Sequence, residues 1–375
     1  MQPRSRSLLS RCASWLVATV AVTACGSDST GPIAPANLLS SARFPDCVPL
    51  VDYFPTGGWR LTCPAVAGMD SARLRLAYEA MNLAPDVRAF VVVRHGHVVA
   101  EAYRTADDSR YAFHQQSATK SVTSALVGIA LREGYLTSLD QKAADFLPEY
   151  FGPDTDARKK TITLRHLLTM TAGLECDDSD SNFWLIRSHR DWAAATIAFP
   201  LVAEPGEQFM YDSAAMHLLS VILTRQTQQN AFQFAQTHLF QPLGIDVNHW
   251  PTDPQHNSEG AAGLALTPRD MAKFGYLYLN GGRWDGEAII PEWFVRESTQ
   301  KHSEGGNPEP AAYGYLWWVM HSVQPAAYCA AGYGGQYIIV IPDHDLVIVT
   351  TGNHELMPPP EAPVPLFFEY IVPAS

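Results

Sequence analysis

Ser117-Ala118-Thr119-Lys120 sets a hydroxyl and an amine three positions apart at the head of the apolar run from Ser117 to Leu131, a spacing that puts both on one helix face. A serine hydroxyl is too weak an acid to attack a carbonyl at neutral pH. An amine kept neutral by burial and by the positive end of a helix dipole can take its proton. The same helix start offers a backbone N–H to the oxyanion that forms, so the implied chemistry is acyl transfer through a serine ester. A second match, Ser298-Thr299-Gln300-Lys301, lies in the polar stretch Arg296 to Glu304 with no apolar helix after it. Ser117, by contrast, is followed by Val122, Leu126, Ile129 and Ala130 at helical spacing, and Gly134 stops the helix. Ser117 is therefore read as the nucleophile and Lys120 as its partner.

Two later motifs extend the set. Glu204-Pro205-Gly206-Glu207-Gln208-Phe209-Met210-Tyr211-Asp212-Ser213 supplies a tyrosine, and Ala331-Gly332-Tyr333-Gly334-Gly335-Gln336-Tyr337 leads into the strand-like run Ile338 to Pro342. In order and rough spacing the three resemble the signature of the serine β-lactamase and penicillin-binding superfamily: S-x-x-K, then Y-x-N, then K-T-G or H-x-G. The resemblance runs from about Phe90 to the C-terminus and takes in Leu167 to Leu174 and Leu264 to Met271. It looks closest to the class C-like branch, with its esterases, D-amino-acid peptidases and 6-aminohexanoate-oligomer hydrolases.

That resemblance implies an α+β fold of the β-lactamase/transpeptidase type, an antiparallel sheet flanked by terminal helices with an inserted helical lobe. The site would lie where lobe and sheet meet. It implies that Tyr211 handles protons with Lys120, as a phenolate favoured by the neighbouring ammonium. The oxyanion would be held by the Ser117 N–H and one near Gly335 or Gln336. Ser213, Tyr333, Gly334, Gly335 and Gln336 would line the substrate, with no cofactor and no metal. Two departures matter: Tyr333 stands where the third motif usually has a cation, and Ser213 where the second has asparagine. In β-lactamases and D,D-peptidases those residues contact the substrate carboxylate and the acyl amide. The expectation is thus an esterase or amidase for substrates without that carboxylate. The alternatives are a β-lactamase or D-Ala carboxypeptidase, and a non-catalytic lipoprotein that has kept the fold. Asp177, Asp178 and Asp180 are candidates to contact a cationic group.

The elements that must position these residues follow from hydrophobic periodicity. Phe90 to Arg94 and Val98 to Tyr103 read as a β-hairpin about His95-Gly96-His97, whose histidines are read as solvated turn residues without a second metal-ligand cluster. Helices are expected at 117–133, 164–171, 192–198, 214–227, 231–238 and 268–279. Further strands are expected at 317–320, 337–341 and 346–351, with a closing helix at 366–372. Early and late strands around a run of helices imply one sheet completed by both chain ends. The domain reading is a sheet lobe of 46–115 and 305–375 with a helical lobe of 116–304.

Before this domain, Arg4, Arg6 and Arg11 precede the short apolar run Ala13 to Ala24, which reads as a secretory signal over 1–24 because a bilayer span needs about 20 apolar residues. Val22-Thr23-Ala24-Cys25 resembles a bacterial lipobox with Cys25 as the lipidated mature N-terminus, and residues 25–45 read as a flexible tether. The protein is thus expected to be exported and anchored to a membrane by that lipid alone, facing the periplasm or the cell surface. Its 26 Lys and Arg against 38 Asp and Glu, a net charge of −12, argue against nucleic acid as a partner and leave a small ester, amide or peptide as substrate. Cys47 and Cys63, separated by Pro55, Gly57 and Gly58, are the favoured disulfide. The family resemblance places Cys176 and Cys329 near the site, either paired or as buried thiols.

Overall fold

Eight antiparallel strands make one sheet, with the two ends of the chain meeting in its interior. The computed structural model describes residues 44–84, 86–178, 186–355 and 364–375; the leader, Cys25, the tether before residue 44 and Asp180 lie outside the described residues. In chain order the sheet strands are β1 (Val87–Arg94) and β2 (His97–Tyr103), then, after a small pair β3 (Phe113–His114) and β4 (Ala265–Leu266), β5 (Ser303–Gly306), β6 (Ala311–Tyr313), β7 (Trp318–Met320), β8 (Ala327–Gly332), β9 (Gln336–Ile341) and β10 (Leu346–Gly352). Across the sheet they run β2-β1-β10-β9-β8-β7-β6-β5, with Val92 opposite Ile348 where the first strand meets the last.

β1, β9 and β10 are unbroken apolar runs instead of alternating ones because both faces of the sheet are covered. Phe90 to Val93, Ile338 to Ile341 and Leu346 to Val349 are all buried. On one face lies helix α1 (Ser71–Leu83), N-capped by Asp70, whose Tyr78 meets Phe90 edge-on at 5.8 Å. The register puts Val347 and Ile338 on the other face, beneath a helix of the central region. The longer helices of that region are α2 (Thr119–Arg132), α3 (Trp192–Ala198), α4 (Ser213–Thr227), α5 (Pro268–Leu279) and α6 (Glu292–Ser298). α5 is the covering helix, and a Cβ at its Gly275 would stand 2.6 Å from Val347 Cγ1 and 2.8 Å from Ile338 Cγ2. Only glycine lets the helix lie this close.

The expected strands and most of the central helices are present, with instructive differences at their ends. The helix expected over 231–238 becomes a wide turn at Gln236–Phe240, because Pro242 lacks an N–H and its ring collides with the carbonyl four residues back. The closing helix over 366–372 is likewise a short α turn, a π turn and a 3₁₀ turn between Val364 and Ala374. The hairpin turn is His95-Gly96, both at positive φ, and His97 belongs to β2. His97 is buried with Nδ1 2.8 Å from the His95 carbonyl, which corrects its reading as a solvated residue.

Candidate active site

Ser117 lies in a 3₁₀ turn, Gln116–Ala118, that runs into α2 at Thr119, so the serine precedes the helix it was expected to begin. The next turn holds the lysine. Lys120 Nζ donates to Ser117 Oγ at 2.8 Å and to the Ala261 carbonyl at 3.2 Å, with the side chain only 1% exposed. Burial pulls this ammonium down to about 8, against the opposing pull of Asp178, Glu259 and Asp212. At pH 7 roughly a tenth of the molecules then carry the neutral amine, where an exposed lysine would carry well under a thousandth. Segment 258–262, which supplies the Ala261 carbonyl, is fastened to α2 and α4 by Thr123 Oγ1 to the Gly260 carbonyl at 2.8 Å and Ser220 Oγ to the Ser258 carbonyl at 2.6 Å.

Tyr211 comes from the loop before α4, where Asp212 caps the helix by accepting from the Ala215 N–H at 2.7 Å. Its ring stacks on Trp318 of β7 at 5.6 Å, and Lys120 Nζ stands 4.8 Å from its centroid. Burial, reinforced by the Asp178 carboxylate, pushes the phenol well above its ordinary range, and its hydrogen bond with Ser117 offsets this only in part. The phenolate reading is therefore corrected: Tyr211 is a phenol, and the titratable partner of Ser117 at neutral pH is Lys120. Ser213 is taken up by the protein itself, since Asp178 accepts from both its N–H and its hydroxyl. Asp178 in turn donates its backbone N–H to the Tyr211 carbonyl at 3.0 Å.

The glycine pressed against the turn that carries Ser117 is Gly332. A Cβ there would stand 2.2 Å from the Gln115 carbonyl oxygen and 3.1 Å from the Ala118 nitrogen. Gly335 and Gln336 sit farther along, against β10: the Gly335 carbonyl accepts from Thr350 Oγ1 and Gln336 Nε2 donates to the Gly352 carbonyl at 2.9 Å. The third motif is thereby framed on Gly332, which moves its first position from Tyr333 to buried Ala330 and its backbone donor to the end of β8. Tyr333 itself is 42% exposed, and Gly334 lies against His354. Neither frame places a cation in the motif.

Cys47 and Cys63 are bonded at 2.09 Å, while Cys176 and Cys329 are separate buried thiols. Among the described residues no group of three or more His, Cys, Asp or Glu side chains is arranged to hold a metal ion. Sequence reasoning did not single out the Ala261 carbonyl, nor Gly332 as the glycine that meets the Ser117 turn; only Gly332 carried a signal, as the first glycine of its run.

A family model described as Beta-lactamase matches residues 85–364, most of the chain and all of this geometry. The chain belongs to the β-lactamase family. Within it, the 6-aminohexanoate-dimer hydrolase of Paenarthrobacter ureafaciens is 27% identical over 285 residues, covering 70% of this chain and 71% of that protein. Two solved structures share the fold. The octameric penicillin-binding protein homologue from Pyrococcus abyssi matches with a TM-score of 0.64 at 18% identity, over 80% of this chain and 76% of that one. EstCE1, a hydrolase with promiscuous acyltransferase activity, matches with a TM-score of 0.63 at 18% identity, over 79% and 96%. The protein is a β-lactamase-family hydrolase with the family's antiparallel sheet and flanking helices.

Proposed function

We propose that this β-lactamase-family hydrolase cleaves an ester or amide through an acyl-enzyme on Ser117. The observation that carries the reading is the contact of a buried, depressed Lys120 amine with Ser117 Oγ at 2.8 Å. With the lysine neutral the same contact reverses: the serine O–H donates to the nitrogen lone pair as Oγ attacks the carbonyl carbon. The Ser117 N–H and the backbone where β8 ends at Gly332–Tyr333 hold the oxyanion. Tyr211, protonated and hydrogen-bonded to Ser117, passes a proton to the leaving alkoxide or amine and is reprotonated from the lysine ammonium. Water then attacks the acyl carbon by the same route and frees Ser117.

The substrate follows from what the third motif lacks. Neither Ala330 nor Tyr333 offers a cation, which favours a neutral acyl group over a β-lactam or D-Ala carboxylate, and a relative named for an amide dimer supports amide cleavage. The test is a fluorophosphonate probe with the adduct mapped by mass spectrometry. An adduct on Ser117 that vanishes in Ser117→Ala supports the reading, and an adduct elsewhere ends it. We further propose that export leaves the domain tethered through Cys25. Globomycin or Cys25→Ala should move the protein from membrane to soluble fractions, and an unchanged distribution counts against the anchor.

A further inference from the structure

The residue before the nucleophile is in a conformation that its type disfavours. Gln116 has φ of 50°, in the left-handed region where a residue with a Cβ is strained and persists only when its surroundings over-determine it. Its neighbours are well fastened. The Gln115 N–H donates to the Leu264 carbonyl at 2.8 Å, Gln115 Nε2 to the Phe113 carbonyl at 2.8 Å, and the Ala118 N–H to the Gln115 carbonyl at 3.1 Å. At Gln116 itself the backbone N–H donates to His114 Nδ1 at 3.2 Å. His114 is fixed in turn by β3, which pairs it with Ala265 of β4.

An imidazole nitrogen accepts only while it has no proton. The surroundings of His114 enforce that state: its ring lies 5.3 Å from the His354 ring, and the Arg187 guanidinium bears on it from another segment. Burial first, and then the neighbouring His354 and Arg187, hold the imidazole down at about 4. His114 therefore stays an acceptor at neutral pH, so the strained bond is kept when the enzyme works.

Resting on the assignment of Ser117 as nucleophile, we propose that His114 is a positioning residue: its Nδ1 latches the Gln116 N–H and so holds the left-handed turn that aims Ser117 Oγ at Lys120 Nζ. It acts through Gln116 and carries no proton in the reaction. Two consequences set it apart from simple packing. Any side chain that accepts at the same place should replace it, and removing the strain at Gln116 should make it dispensable.

The experiment uses the full chain, p-nitrophenyl butyrate turnover and fluorophosphonate labelling at pH 7.5. Loss of one hydrogen bond at the reacting geometry predicts a fall in kcat of about tenfold for His114→Phe, with KM within about twofold. His114→Asn, whose side-chain oxygen accepts but does not titrate, should recover most of that loss. In the Gln116→Gly background, where the left-handed turn is unstrained, the His114→Phe penalty should shrink to about threefold or less. Wild-type kcat in His114→Phe, no recovery in His114→Asn, or an undiminished penalty beside Gln116→Gly would each overturn the latch. Should His114→Phe fail to fold, His114→Ala carries the same three comparisons. A wild-type adduct on a residue other than Ser117 defeats the nucleophile assignment. An adduct on Ser117 formed at a rate indifferent to His114 defeats the latch alone.

Discussion

Two places in this chain carry the same serine and lysine three residues apart, and they have opposite fates. Ser298 ends α6, buried, and spends its hydroxyl on the helix carbonyls of Phe294 at 2.7 Å and Val295 at 3.0 Å. Lys301 lies beyond the helix, reaches outward and pairs with Glu304 at 2.7 Å. Ser117 instead stands ahead of its helix, and Lys120 turns inward, where burial strips water from the ammonium and weakens its hold on the proton. The motif alone does not lower a lysine's hold on its proton; the depth at which the amine is held does.

The harshest way to break this comparison is to remove the proposed nucleophile. Ser117→Ala should abolish covalent labelling and lower kcat by about a thousandfold or more, since members of one catalytic unit fail together. Lys120→Met keeps the side chain's bulk and removes its nitrogen, and should cost roughly a hundred- to ten-thousandfold in kcat/KM, the usual span for a general base. Loss below tenfold would mean that the buried amine is not the base.

Acidity comes next in size. Lys120 acts when neutral, so kcat/KM should fall about tenfold per pH unit below the lysine's value of about 8 and level off above it. A limb near 10 in place of 8 would show that burial does not set the base strength. Smaller still is the effect of the missing cation. Without a charge-assisted hydrogen bond to a substrate carboxylate, nitrocefin should trail p-nitrophenyl butyrate by roughly ten- to a hundredfold in kcat/KM. Efficient nitrocefin turnover with little on the ester would reverse the specificity reading. Smallest, Ser298→Ala should leave kcat/KM within about twofold while lowering stability by about 1 kcal/mol, because that hydroxyl serves its own helix and the buried Tyr278 beside it. A dead Ser298→Ala enzyme would collapse the contrast.

What could be read beforehand was whatever is local in sequence. Ser117 and Lys120 share a helical turn, and the strands Tyr337–Ile341 and Leu346–Thr351 declare themselves by composition. α1 escaped notice although Leu74, Ala77, Tyr78 and Met81 make an unbroken buried stripe at helical spacing, because the exposed Leu76 on the opposite face blurs that periodicity. β5 is short and carries Gly305 and Gly306, so pairing with β6 defines it and propensity does not. The same rule holds in the site. The Ala261 carbonyl has no residue type to betray it, Asp178 acts by holding Ser213, and His114 acts through a backbone N–H. Tyr211 was found by spacing, yet its protonation state was misjudged because burial depends on Trp318 and Asp178, remote in sequence.

The meeting of β1 with β10 also dictates when this molecule can come into being. Val92 must find Ile348 across most of the chain, so the sheet cannot close until the last strand has been synthesised. Topologies dominated by such distant pairings form slowly, because a long loop must be closed before any contact rewards it. Until then β1 and β9 expose apolar edges on which other chains can stack. However early β1 emerges, the sheet stays open until β10 joins it.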